Sequence, residues 1–277
     1  MCRWLAYSGS PILLEEVLYK PDRSLIDQSR HSRMGAETTN GDGVGVGWYG
    51  AGDGPGLFHG VGPAWGDENL RELARHTESS LFLAHIRAST GTPVQQSNCH
   101  PFRHNNWLWV HNGSIRDMAK LRRDLVMAVN PALYPYIKGS TDSEIMFFLA
   151  LTFGLEEDPP NAVEQMVGFV EDTARSHGVE NVMQMTIGAS DGERLWGFRY
   201  STEGRSRTLF YSTDAATLKA QHPDNPNLKK ISDESRLIVS EPLGDLEGAW
   251  NEVPESSWGV VQKGADEMHP FKPKVPA

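Results

Sequence analysis

Short apolar runs of β type fill the first and last thirds of this chain, and three helix-type stretches lie between them. That order favours one layered α+β domain over two separate ones. Residues 3–8 (RWLAYS) read as a strand, as do 80–88 (SLFLAHIRA) and 107–111 (WLWVH), the last stopped by the Asn112-Gly113 turn signal. In GVGVGWYG, Gly43, Gly45 and Gly47 share one strand face and leave it bare, so another backbone or a ligand can approach closely. A dinucleotide fingerprint is the competing reading, but no strand precedes these glycines and no helix follows them. Residues 12–20 fit a short amphipathic helix ended by Pro21, and 24–43 are polar and irregular. Helices are expected over 116–129, 142–153 and 161–176, the second with its N-cap near Ser140, Thr141 or Asp142. From 181 onward the pattern returns to strands, interrupted by a polar surface loop at 219–235. The expected domain spans 2–263, followed by a loosely held tail at 264–277.

With 277 residues, 39% of them hydrophobic, the chain can bury a sizeable core. A net charge of −10 and no long basic run argue against nucleic acid or an anionic membrane as main partner. No apolar stretch of about 18 residues exists to span a bilayer, and the N-terminus lacks a secretory leader pattern. The expected compartment is the cytoplasm. Two cysteines, Cys2 and Cys99, do not make a disulfide framework.

Cys2 directly follows Met1, so removal of the methionine would leave a thiol and a free α-amine on one residue. Such an amine has a pKa of about 7.7–8.0 and a thiol about 8.5, so the amine can serve as base to its own nucleophile near neutral pH. Four further segments fit that chemistry. AHIRAST carries Arg87, a planar cation suited to a carboxylate but more often a surface ion-pair partner. HNG at 111–113 offers an amide and a backbone N–H to an oxyanion, or is an ordinary turn. GSTDSE at 139–144 places Asp142 at a helix start, where it could bind an ammonium group or simply cap. NGDGVGVGW supplies the bare glycine face.

Taken in order, MCRWLAYSG, NGDGVGVGWYG, AHIRAST with NCHPF, HNGSI and GSTDSE resemble the class II glutamine amidotransferase family over most of the chain. The resemblance implies the N-terminal nucleophile hydrolase fold, a four-layer α-β-β-α sandwich of two antiparallel sheets. It implies Cys2 as nucleophile, Asn112 and Gly113 as oxyanion hole, Arg87 for the α-carboxylate of a γ-glutamyl group, and Asp142 for its α-ammonium, with Thr90 and Gly113 nearby. Hydrolysis would pass through a γ-glutamyl thioester. The fold would use nearly all residues and leave none for a synthase, and Ala88 stands where many biosynthetic members have an aromatic residue. The short stand-alone branch that cleaves γ-glutamyl bonds is closer, with a small-molecule substrate and room for a separate synthase or peptidase subunit as partner. No cofactor is implied. Histidines 85, 100, 104 and 111 match no compact ligand motif, so no metal is expected. His100 and Cys99 read as packing residues, and Trp48 as core or pocket lining. Two rival functions remain at this point: hydrolysis of a non-glutamyl amide, and a glutaminase subunit that feeds or regulates another enzyme.

Overall fold

The computed structural model describes residues 2–31, 39–89, 91–224, 226, 228–262 and 266–276. In chain order the first half holds β1 (Arg3–Leu13), α1 (Glu15–Leu18), α2 (Leu25–Arg30), β2 (Val44–Trp48), β3 (Gly56–Gly60), α3 (Glu68–His76), β4 (Glu78–Ile86), β5 (Phe102–His104) and β6 (Trp107–Ile115). Then come α4 (Met118–Met127), α5 (Asp142–Thr152), α6 (Pro159–Ser176), β7 (Met183–Ser190), β8 (Leu195–Ser201) and β9 (Phe210–Ser212). The chain finishes with α7 (Ala215–Gln221), β10 (Arg236–Val239), β11 (Trp250–Glu252), β12 (Ser257–Val261) and β13 (Glu267–Pro270). One antiparallel sheet has the order β11-β9-β10-β1-β4-β2-β3, the other β13-β12-β8-β7-β6-β5.

Side-chain alternation turns these sheets into four layers. Trp4 and Ala6 of β1 face the other sheet and pack with Leu81 and Leu83 of β4 and Leu108 and Val110 of β6. Their neighbours Leu5 and Tyr7 point the opposite way, with Phe82 and Ala84, onto Val17, Leu25 and Leu70 of the first three helices. On the far side, Trp109, Met185 and Ile187 pack against Leu121, Phe147 and Met166 of α4, α5 and α6. α5 is apolar all round because it lies under α6 and over β6; Ser143 through Ala150 are all buried. The result is the expected α-β-β-α sandwich. Among the described residues no helix is long and apolar enough to cross a membrane.

Four local expectations need correction. β6 does not stop at Asn112-Gly113: it continues to Ile115, pairing Asn112 with Thr186 and Gly113 with Met185. Ladder bonds to β7 override the turn preference of the dipeptide, and the reversal moves to Asp117, which takes the left-handed conformation (φ +53°). The helix expected from residue 12 shrinks to one turn, because Ile12 and Leu13 pair with Ser79 and Glu78. Residues 24–31 are more regular than expected, since Ser24 caps α2 by accepting the Asp27 N–H, and 32–38 of that stretch lie outside the described residues. The segment 219–235 begins inside α7, whose Leu218 packs with Leu228 and Ala249.

The described part of the tail, residues 266–276, is docked on the domain and not loosely held. β13 pairs with β12, Phe271 is buried among Phe198 and Tyr200, and the Lys274 N–H donates to the Glu164 carbonyl of α6 (3.1 Å). Gly168 of α6 permits this docking: a Cβ there would sit 2.2 Å from the Lys274 carbonyl oxygen. Gly168→Ala is therefore expected to cost about 1–3 kcal/mol and to free the tail, since backbone cannot yield as a side chain end can. Urea melts and limited proteolysis check this; an unchanged midpoint with a protected tail would contradict it.

Candidate active site

The register of β1 against β4 sets the site. Arg3 pairs with Ile86 and Trp4 with His85, so Cys2 stands level with Arg87 at the open end of the sheet. Arg87 extends the row by donating its N–H to the Gly43 carbonyl (2.8 Å). The half-buried Cys2 sulfur lies 3.5 Å from both the Ala88 carbonyl and the Ala88 N–H. Burial pushes the thiol up; the Ala88 N–H and the Arg87 charge pull it down, and Asp142 pushes it up again.

Arg87 is 3% exposed, and its guanidinium partners among the described residues include no carboxylate. Its Nη2 donates to Thr92 Oγ1 (2.6 Å), the Thr92 carbonyl (3.3 Å) and Ser89 Oγ (3.2 Å), and its Nη1 to the Asp42 carbonyl (3.3 Å). The guanidinium is held in place by neutral acceptors, and among the described residues none of them compensates its charge. An anion arriving there would complete the pair. The Asp42 carboxylate turns away to accept the Ser89 N–H (2.8 Å) and shapes the loop after Arg87. Thr90 lies outside the described residues.

Asp142 opens α5 next to its N-cap Thr141, whose side chain accepts the Glu144 N–H. Its oxygens take the Ile115 N–H (2.9 Å), the Ser143 N–H (2.8 Å) and the Ser143 hydroxyl (3.3 Å). A carboxylate offers about four lone-pair sites, so one acceptor position is left for an ammonium group. Asn112 is buried and follows Leu108 and Val110 in facing the other sheet. Trp4, two residues after Cys2, reaches across to it: Trp4 Nε1 donates to Thr186 Oγ1 (3.0 Å), and Thr186 donates to the Asn112 carbonyl (3.5 Å). At Gly113 (φ +155°) a Cβ would meet the Gln184 carbonyl at 1.9 Å, so only glycine fits.

Two residues that join the halves of the site were not singled out by sequence reasoning. Asn98 donates to the Pro93 carbonyl (2.9 Å) and accepts the Ser140 N–H (2.8 Å), tying the loop after Arg87 to the segment before Asp142. Glu144 accepts the N–H groups of Lys138 (2.9 Å) and Gly139 (2.7 Å) and fixes the other side of that segment. Both lie within quoted motifs, NCHPF and GSTDSE, which was their one signal.

The glycine face of β2 receives protein, not open space. A Cβ on Gly45 would lie 2.0 Å from the His100 carbonyl, and one on Gly47 would meet Leu108 at 2.9 Å. Trp48 points to the opposite, helix-covered face beside Gly56 and does not line the Cys2 side. Cys99 is buried, with its sulfur 3.5 Å from the Gly60 carbonyl. His100 packs between His85 and Phe102, ring centroids 4.1 and 4.5 Å away. Burial lowers His59, His85, His100 and His111 below the usual histidine range, His85 to about 3. No group of three or more His, Cys, Asp or Glu side chains among the described residues is arranged to hold a metal.

The family model for class II glutamine amidotransferases matches residues 24–275. A Saccharomyces cerevisiae protein described as a probable glutamine amidotransferase, DUG3, is 30% identical over 98% of this chain and 84% of its own length. The gamma-glutamyl-hercynylcysteine sulfoxide hydrolase of Mycolicibacterium smegmatis is 28% identical over 86% of this chain and 96% of its own. Among solved structures, a class II glutamine amidotransferase domain protein from Silicibacter pomeroyi superposes with a TM-score of 0.75 at 33% identity, covering 99% of this chain and 100% of that one. The Bacillus subtilis glutamine PRPP amidotransferase shares the fold alone, at 15% identity and a TM-score of 0.66 over half its length. With a family match across most of the chain and a four-layer sandwich whose first strand directly follows a cysteine, this chain belongs to the class II glutamine amidotransferases.

Proposed function

We propose that this enzyme hydrolyses a γ-glutamyl amide through a thioester on Cys2. The observation that carries the proposal is the placement of Arg87, a buried guanidinium with no carboxylate partner among the described residues, level with Cys2, together with Asp142, which is tied to β6 two residues after Gly113 by the Ile115 N–H. A γ-glutamyl group bears a carboxylate and an ammonium on one carbon. Arg87 and Asp142 are complementary to those two charges, and holding both ends fixes the γ-carbonyl over the thiolate. The names of the yeast and mycobacterial relatives point to the same substrate class.

After loss of Met1, the α-amine of Cys2 takes the thiol proton and the sulfur attacks the γ-carbonyl. The Asn112 side-chain amide and the Gly113 N–H receive the oxyanion. As the tetrahedral species collapses, the C–N bond breaks and the proton passes from the α-ammonium to the leaving nitrogen. Water, activated by the same amine, then cleaves the thioester and releases glutamate. Arg87 orients the substrate carboxylate, while Asp142, Thr90 and Gly113 hold the ammonium end.

Arg87→Lys tests the binding half of this scheme. A point charge replaces a two-pronged donor already aimed by Thr92 and Ser89. KM for a γ-glutamyl substrate is expected to rise about 10- to 100-fold, with a smaller change in kcat. Steady-state kinetics of glutamate release read this directly, and an unchanged KM would remove Arg87 from its assigned role.

A further inference from the structure

Two hydrogen bonds cross the gap between the sheets next to the HNG segment, and they start from β1, which directly follows Cys2, and β4, which directly precedes Arg87. The first is from His85 of β4. Its Nε2 lies 3.2 Å from the His111 carbonyl, and because a carbonyl only accepts, the ring nitrogen donates. The second is the Trp4 indole of β1, which reaches the Asn112 carbonyl through the Thr186 hydroxyl. His85 and Trp4 are register partners, so the two donors stand side by side. They meet consecutive carbonyls, those of residues 111 and 112.

The local pairing explains why β6 needs such support. β5 reaches β6 only through Trp107, Leu108 and Trp109. His111 lies beyond the last residue that β5 pairs with, on the stretch that leads to Asn112 and Gly113. His85 is two residues before Arg87 on the same face and fully buried. Its ring is held by contact with the His100 ring, burial favours its neutral form, and the His111 carbonyl selects the tautomer with the proton on Nε2.

We infer that His85, with Trp4 beside it, is a positioning residue for the oxyanion-binding segment: it holds the backbone of residues 111–113 at a set distance from the strands that adjoin Cys2 and Arg87. This rests on the proposed γ-glutamyl hydrolysis for its kinetic consequence, though not for its structural one. An oxyanion donor displaced by about 1 Å loses most of its effect on the transition state while substrate binding through Arg87 and Asp142 is kept.

The test compares His85→Leu with His85→Gln, whose side-chain amide can still donate. In His85→Leu, kcat for glutamate release is expected to fall about 100-fold with KM changed less than about threefold. His85→Gln is expected to stay within about tenfold of wild type. Hydrogen exchange at the amides of 111–113 should be faster in His85→Leu than in His85→Gln. Trp4→Phe, which keeps an aromatic ring and removes the donor, should lower kcat about tenfold and carries the test if His85→Leu does not fold. Wild-type kcat in His85→Leu, or in Trp4→Phe where that variant is the one folded, overturns the inference, as does an equal loss in the Leu and Gln variants. If wild-type protein releases no glutamate from any γ-glutamyl compound, the functional reading fails and the exchange rates decide alone. Faster exchange without the donor then sustains the positioning role, and identical exchange removes it.

Discussion

Cys2→Ala is expected to abolish glutamate release, a loss on the order of 10⁴–10⁶-fold, comparable to deleting the nucleophile in other hydrolases that act through a covalent intermediate. The loss should come without unfolding. The Cys2 side chain touches the rest of the molecule through Ala88 at 3.5 Å and is only half-buried, so its removal leaves the three cores intact. Retention of Met1 should have nearly the same effect with the thiol still present, because the amine that serves as base is then blocked as part of a peptide bond. Cys99→Ala is the matching control: that thiol is buried against Gly60 and Gln95, and its loss should leave turnover intact. A Cys2→Ala protein that works at the wild-type rate, with Cys99→Ala inactive, would reverse the assignment of the two sulfurs.

Acid should destabilise this fold well above the range where carboxylates titrate. His59, His85, His100 and His111 are all held below the ordinary histidine pKa, with burial the first cause in each. The unfolded chain takes up protons at these sites near pH 6.5, while the folded chain refuses them. Stability therefore rises with pH up to about 6.5 and is lost as pH falls below it. For His85, lowered to about 3, the loss at pH 5 is about 2 kcal/mol, from one and a half pH units at about 1.4 kcal/mol each. The other three add to it in the same direction. Glu144, raised by burial, works the opposite way and offsets part of this loss. Urea midpoints at pH 7.5 and pH 5.0 measure the difference, and equal stability at the two would show that the histidines titrate freely.

Much of the sandwich could be read from alternation alone. Cys2, Trp4 and Ala6 against Leu5 and Tyr7, or the glycines of β2 against Val44 and Val46, state which face turns inward, since strand periodicity needs no knowledge of partners. The errors came where a distant segment decides. Asn112-Gly113 has the composition of a turn, and pairing with Thr186 and Met185, more than seventy residues away, keeps it in a strand. The end of β1 looked helical because its partner Ser79 is not nearby in sequence. The tail looked loose because neither β12 nor the notch at Gly168 is visible locally. The same division runs through the site. Cys2, Arg87 and Asp142 announce their chemistry by residue type and motif. Asn98, Glu144, Thr92 and His85 act through hydrogen bonds between separate segments, such as Asn98 to Ser140 across 42 positions, and no local pattern encodes those.

The most direct test of the central claim is intact-protein mass spectrometry after mixing with γ-glutamyl compounds and quenching in acid. The thioester route predicts a chain shorter by its initiating methionine, carrying one γ-glutamyl group that maps to Cys2 and is absent from Cys2→Ala. Turnover to glutamate with no such adduct at any quench time, or an adduct that maps to another residue, would contradict it.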